Sequence, residues 1–194
     1  MVAVAVLLVA GAVALWPRAD GTAPATAPPP PDLASLREMA ALDACPVPGA
    51  ATAAGVLSGV EVTCLGTGET VPLGAALAGR ETLLNVWSHT CEPCRDELPA
   101  LQEYAARPDA VRVLGVQVEG SPQAGLAMLT ALGIRLPSVS DPDGAVRAAL
   151  SAPPVLPVSY LVTAGGAVWL VNPPVVFRSA DQVADVVRQF QGDG

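Results

Sequence analysis

The chain has no lysine: all ten of its basic residues are arginine. That excludes Schiff-base chemistry and a lysine general base. Eighteen acidic residues stand against those ten, and the net charge is −8. Such a balance argues against nucleic acid or an anionic membrane surface as partner. Histidine is nearly missing, His89 being the single one. Cysteine is scarce as well: four residues, of which Cys91 and Cys94 alone stand close together. A structural zinc site usually needs a second close pair, and Cys45 and Cys64 lie 19 positions apart. No apolar run reaches the ~20 residues that cross a bilayer. No internal repeat is visible.

The longest apolar run is Val2–Trp16, fifteen residues without a break. Its length suits the core of a signal peptide, although nothing basic precedes it. Two readings stand: an upstream basic segment precedes Met1, or the run is a short uncleaved anchor. Ala23 and Ala25 also offer small-residue positions for cleavage. No cysteine follows closely, which argues against a lipoprotein anchor. Residues 17–31 hold Pro17, Pro24 and Pro28 to Pro31 with Ala and Thr, a composition that stays extended and builds no core. The sequence is therefore read as a transmembrane or signal-anchor segment at 1–16, a Pro/Ala-rich linker at 17–31, and one domain at 32–194 held outside the cytoplasm. In that oxidising compartment Cys45 and Cys64 are expected to pair as a structural disulfide. Closing a loop of this size contributes ~3 kcal/mol on the chain-entropy estimate. The alternative is two unrelated buried thiols.

Within the domain the pattern predicts alternating strands and helices. Asp32 caps a helix from Leu33 to about Leu42, with Leu33, Leu36, Met39 and Ala40 on one face. Strands are expected at Val60–Cys64, Val71–Leu73, Leu83–Trp87, Val111–Val118 and Leu136–Val139, and a hairpin over Tyr160–Val171. Helices are expected at Gly74–Gly79, from Glu92 to about Ala106, from Pro122 to Leu132 with Gly133 as stop, at Ala145–Leu150, and from Ser179 to Phe190. Pro99 is expected to kink its helix.

The chemistry concentrates at Cys91-Glu92-Pro93-Cys94. A buried-type strand leads into it and a helix leaves it. A thiol at a helix N-terminus faces unpaired N–H groups and the positive end of the dipole. Both favour thiolate, the nucleophilic form. Cys94 lies one turn on, near enough to close a disulfide with Cys91 in a reversible two-electron switch. Pro93 sits in the first turn, where its missing N–H is harmless. The carboxylate of Glu92 opposes the dipole at Cys91 and makes the pair a better reductant.

Leu84-Asn85-Val86-Trp87, the C-E-P-C, Glu97-Leu98-Pro99 and Leu156-Pro157-Val158-Ser159-Tyr160-Leu161-Val162 together resemble the thioredoxin superfamily. Within it the chain looks like the membrane-anchored, extracytoplasmic TlpA/ResA-type thiol-disulfide oxidoreductases, over roughly residues 60–190. The resemblance implies an α/β thioredoxin-like fold: a central mixed sheet flanked by helices, with an inserted helix-strand unit before Pro157. It implies Cys91 as attacking thiolate and Cys94 as resolving thiol. Pro157 is implied to be cis, with Leu156, Pro157 and Trp87 forming the substrate-facing element, Trp87 from behind the disulfide. Asn85 stands where cytoplasmic thioredoxins carry a buried, proton-shuttling Asp. By analogy Glu119, at the end of the Val111–Val118 strand, is the candidate acid in its place; the alternatives are that solvent carries the proton and that Glu119 is a solvated loop residue. No separate cofactor and no metal are expected. Partners are cysteine-containing proteins outside the membrane, apo-cytochromes awaiting haem among them, and a membrane or extracytoplasmic electron donor. Two rivals use the same fold. A thiol peroxidase is one, with Ser88 three before Cys91 but no upstream Pro. A copper carrier using Cys91, Cys94 and His89 is the other.

Overall fold

The structure, a computed structural model, describes residues 32–52 and 55–192. The expected anchor at 1–16 and linker at 17–31 lie outside the described residues. Among the described residues no helix is long and apolar enough to cross a membrane.

In chain order the elements are α1 (Leu33–Ala40), β1 (Glu61–Cys64), β2 (Thr70–Pro72), α2 (Leu73–Leu77), β3 (Thr82–Trp87), α3 (Glu92–Ala105), β4 (Arg112–Val118), α4 (Pro122–Leu132), β5 (Ser138–Asp141), α5 (Ala145–Ala149), β6 (Val158–Val162), β7 (Val168–Leu170) and α6 (Ala180–Gly192). The strands form one sheet in the order β2-β1-β5-β4-β3-β6-β7. Strands β3, β4 and β5 run parallel, while β6 and β7 on one flank and β1 and β2 on the other pair antiparallel. The sheet is thus mixed, as expected.

Every residue of β3 is buried. A strand covered on both faces reads as a near-continuous apolar run, which Leu83 to Trp87 shows with Asn85 as its one polar member. Its side chains alternate between two cores. Leu83 and Trp87 join a cluster with Leu36 and Ala40 of α1, Leu98 and Leu101 of α3, Leu126 and Leu129 of α4, and Val183 and Val187 of α6. Leu84 and Val86 join the other, with Leu73 and Leu77 of α2 and Val146 of α5. Asn85 therefore lies on the face that α3 covers.

Caps stand where the sequence put them: Ser35 N donates to Asp32 Oδ1 at 2.8 Å and Ala124 N to Ser121 Oγ at 3.3 Å. Gly133 ends α4 at a φ of 66°, a conformation in which glycine carries no Cβ penalty. Helix α3 runs on through Pro99. Two expectations shift. The strand foreseen at Leu136–Val139 is Ser138–Asp141. Pro137 has no N–H for a ladder, Ser138 Oγ donates to Leu136 O at 3.1 Å, and Asp141 Oδ2 accepts from Val146 N at 3.0 Å. Met39 is 54% exposed rather than inward. In a helix of two turns the inward stripe is Leu36 and Ala40, four apart.

Candidate active site

Strand β3, paired on both sides, delivers the chain to the C-terminal end of the parallel strands, and Ser88 to Thr90 turn it into α3. Cys91 is the N-cap of α3, in extended conformation, and its Sγ accepts a hydrogen bond from Cys94 N at 3.2 Å. A sulfur placed there meets one of the orphan donors of the first turn, which stabilises negative charge on it once the pair is reduced. Cys91 and Cys94 are joined in a disulfide. Cys91 is half-buried, while Cys94 is 1% exposed. One sulfur can be reached from solvent; its partner cannot. Glu92 and Pro93 are exposed in the first turn.

Strand β6 begins immediately after Pro157, and the Leu156–Pro157 peptide bond is cis. The pairing of Val86 with Val158 brings Pro157 to the end of β3, where the cysteine loop starts. Leu156 and Cys91, both half-buried, pack against the same core. Trp87 packs behind the disulfide in one core with Cys94, but it does not belong to the substrate-facing element. At 0% exposure it has no surface to offer a client. It supports the loop from beneath, lying over Gly115, where a Cβ would stand 2.8 Å from its Nε1. Pro157 is buried too, so Leu156 holds the reachable part of the expected substrate-facing trio.

Of the two readings of Glu119, the structure matches the solvated loop residue. It sits at a left-handed φ of 63°, past the end of β4, with a side chain 58% exposed and bonded to Arg147 Nη1 at 3.0 Å. A solvated, ion-paired carboxylate is a poor proton carrier for a buried thiol. The buried acid on the dithiol's own helix is Glu97. It is 0% exposed and three residues past Cys94, on the same helix face. Its Oε2 accepts from Asn85 Nδ2 at 3.1 Å and its Oε1 from Phe177 N at 3.4 Å. Asn85 Nδ2 also donates to Ser159 Oγ at 3.1 Å. Burial pushes the Glu97 carboxyl up to about 7, against the pull of these two donors and of Arg178. A pattern signal was available for it: Cys94, Glu97, Leu98, Leu101 and Tyr104 form one buried stripe of α3, and an acid in such a stripe is out of place.

Ser88 is buried, with its Oγ 3.0 Å from Thr90 Oγ1. His89 packs on Gly120, where a Cβ would stand 2.5 Å from Nδ1. Away from the dithiol, Cys45 and Cys64 form a second disulfide, tying the coil after α1 to β1. Among the described residues no group of three or more His, Cys, Asp or Glu side chains is placed to hold a metal ion.

A parallel βαβ core whose connecting helix carries a C-x-x-C at its head, flanked by an antiparallel pair, is the thioredoxin architecture. The chain belongs to the AhpC/TSA family, whose match covers residues 59–170. Among similar proteins is the thiol:disulfide interchange protein CycY of Rhizobium leguminosarum bv. viciae, 34% identical over 96 residues, or 48% of this chain and 50% of that protein. The thiol-disulfide oxidoreductase ResA of Bacillus subtilis is 33% identical over 94 residues, or 47% of this chain and 52% of that protein. The chain thus spans about half the length of the curated relatives it matches. A secreted Mycobacterium tuberculosis disulfide oxidoreductase, described as homologous to Escherichia coli DsbE, superposes with a TM-score of 0.60 at 26% identity. That similarity covers 70% of this chain and 99% of the other.

Proposed function

We propose that this protein is an extracytoplasmic protein-disulfide reductase whose C-E-P-C pair switches between dithiol and disulfide. The observation that carries the reading is the asymmetry of the pair: a half-buried Cys91 capping α3 and a Cys94 that solvent does not reach. In the reduced protein Cys91 thiolate attacks a client disulfide. A Cys91–client bond forms, and the other client sulfur leaves as thiolate and takes a proton. Cys94 then gives its proton to ionised Glu97 and attacks Cys91 Sγ. The second client thiolate leaves, and the pair is oxidised by two electrons. Glu97 is placed for this work by its helical spacing from Cys94 and by a carboxyl that titrates near neutrality.

The similarity to a secreted oxidoreductase supports a site of action outside the cytoplasm. On this reading residues 1–16 anchor the domain, 17–31 space it from the membrane, and Cys45–Cys64 is structural. Clients are cysteine-containing extracytoplasmic proteins, apo-cytochromes included, and a membrane or extracytoplasmic dithiol resets Cys91–Cys94. Leu156 meets the client and Glu92 favours the reducing direction. The test is kinetic. Reduced protein is expected to reduce insulin disulfides, Cys91→Ser to lose that activity, and Cys94→Ser to accumulate mixed disulfides. Full activity of Cys91→Ser refutes the assignment of nucleophile. The family match together with Ser88 three residues before Cys91 favours peroxide reduction as the second reading. Consumption of hydrogen peroxide at Cys91, without insulin reduction, would select it.

A further inference from the structure

Asn85 is buried between two partners and uses one end of its amide for both. Nδ2 donates to Glu97 Oε2 and to Ser159 Oγ, each at 3.1 Å. Oδ1, also buried, has no hydrogen-bond partner among the described residues. An orphaned carbonyl in a core is costly and calls for an explanation. The arrangement has a near mirror. Turned by 180°, the amide presents Oδ1, with two lone pairs, to the same two oxygens. Ser159 then donates instead of accepting. A protonated Glu97 donates instead of accepting. The orphan becomes Nδ2 rather than Oδ1, so each orientation leaves one buried end unpaired. What decides between them is whether Glu97 holds a proton.

We propose that Asn85 is a two-position switch that hydrogen-bonds Glu97 in both protonation states, with the Ser159 hydroxyl reversing in step. It is a positioning residue, and the proposal rests on the role assigned to Glu97 above. When Cys94 hands its proton to Glu97, the donor that held the carboxylate turns into an acceptor for the new carboxylic acid. An aspartate at this position would place a second buried acid against Glu97, and a leucine would serve neither state. Around Glu97 stand Cys94 on α3, Asn85 on β3, and Phe177 N and Arg178 on the segment before α6. Arg178 is held by Asp96 at 2.8 Å. The Phe177 amide donates in either state, and Arg178 draws Glu97 toward its charged form. Neither can accept from a protonated Glu97.

The experiment follows two nuclei in the whole chain by NMR: the Glu97 side-chain carboxyl carbon and the Asn85 side-chain amide nitrogen, between pH 5 and 9. The expected result is one shared midpoint. Nuclear Overhauser contacts from the Asn85 amide hydrogens to Ser159 Hβ and Glu97 Hγ are present above it and lost below it. In Glu97→Gln the pH dependence of the Asn85 amide disappears. If Glu97 titrates while the Asn85 contacts stay unchanged, the switch is wrong and the role of Glu97 survives. If Glu97 does not titrate, both fall. Kinetics give an independent check: Ser159→Ala and Asn85→Leu should slow release of the mixed disulfide, Asn85→Leu about tenfold, the scale of one hydrogen bond to a charged group. They should leave the first attack by Cys91 unchanged. Wild-type release in both variants overturns the proposal.

Discussion

A buried acid disfavours the charged form, and at Glu97 the cost appears in stability as well as in rate. Its carboxyl is raised from an ordinary 4.5 to about 7, chiefly by burial. Between those values the folded protein holds a proton that the unfolded chain has lost, so stability falls as pH rises through the window and levels off above it. Glu97→Gln carries no such charge. Urea unfolding of the oxidised protein at pH 4.5 and 8 is therefore expected to show Glu97→Gln gaining on wild type by the order of 3 kcal/mol. A constant difference between the two proteins would mean that Glu97 is not neutral in the fold near pH 6. Mixed-disulfide release is expected to do the opposite and rise through pH 7, because Glu97 accepts a proton only when ionised. The two cysteines were legible from spacing alone. This acid was legible only as a charge within the apolar stripe of α3, and an analogy of position drew attention instead to Glu119, which the chain uses in a surface ion pair with Arg147.

At the scale of elements, β3, β4 and β5 are held to the site by contacts between neighbouring strands. Gly115 of β4 pairs with Asn85 of β3 and Ser138 of β5. A Cβ there would stand 2.6 Å from Ser138 Oγ and 2.8 Å from Trp87 Nε1, closer than packed atoms tolerate. Gly115→Ala is expected to destabilise by about 1–3 kcal/mol and to change the near-UV circular dichroism, since Trp87 must move. An unchanged spectrum and unfolding midpoint would mean that Trp87 does not need this space. Helices whose caps and stops are written in side chains, such as Ser121 to Gly133, were readable to the residue. Strand β5 was not, because Ser138, Ser140 and Asp141 lack the apolar signature of a buried strand. Their burial follows from pairing on both sides, which is a property of the sheet and not of the segment.

The whole molecule carries two disulfides in unlike surroundings, and that difference decides which one exchanges. To open Cys45–Cys64 an incoming thiolate must strike Cys45, which is half-buried, and expel Cys64, which is 2% exposed. A thiolate released into such a site is poorly solvated and leaves slowly. Opening Cys91–Cys94 likewise expels a buried sulfur, but on the proposed role of Glu97 its carboxyl, one helical turn on and raised to about 7, supplies that sulfur with a proton. Among the described residues the other buried acid is Asp141, already engaged in capping α5. Limited dithiothreitol at pH 7 is therefore expected to reduce Cys91–Cys94 fully while Cys45–Cys64 stays intact, as read by alkylation and peptide mass spectrometry. In Glu97→Gln the gap between the two rates should narrow. Removing the second bridge by Cys45→Ala with Cys64→Ala should leave insulin reduction in place. It should cost ~3 kcal/mol by the loop-entropy estimate, or roughly 6–12 °C in Tm for a domain of this size. Loss of insulin reduction in that double variant at a temperature where it remains folded would instead make Cys45 and Cys64 part of the electron path, and the division of labour between the two bridges would have to be abandoned.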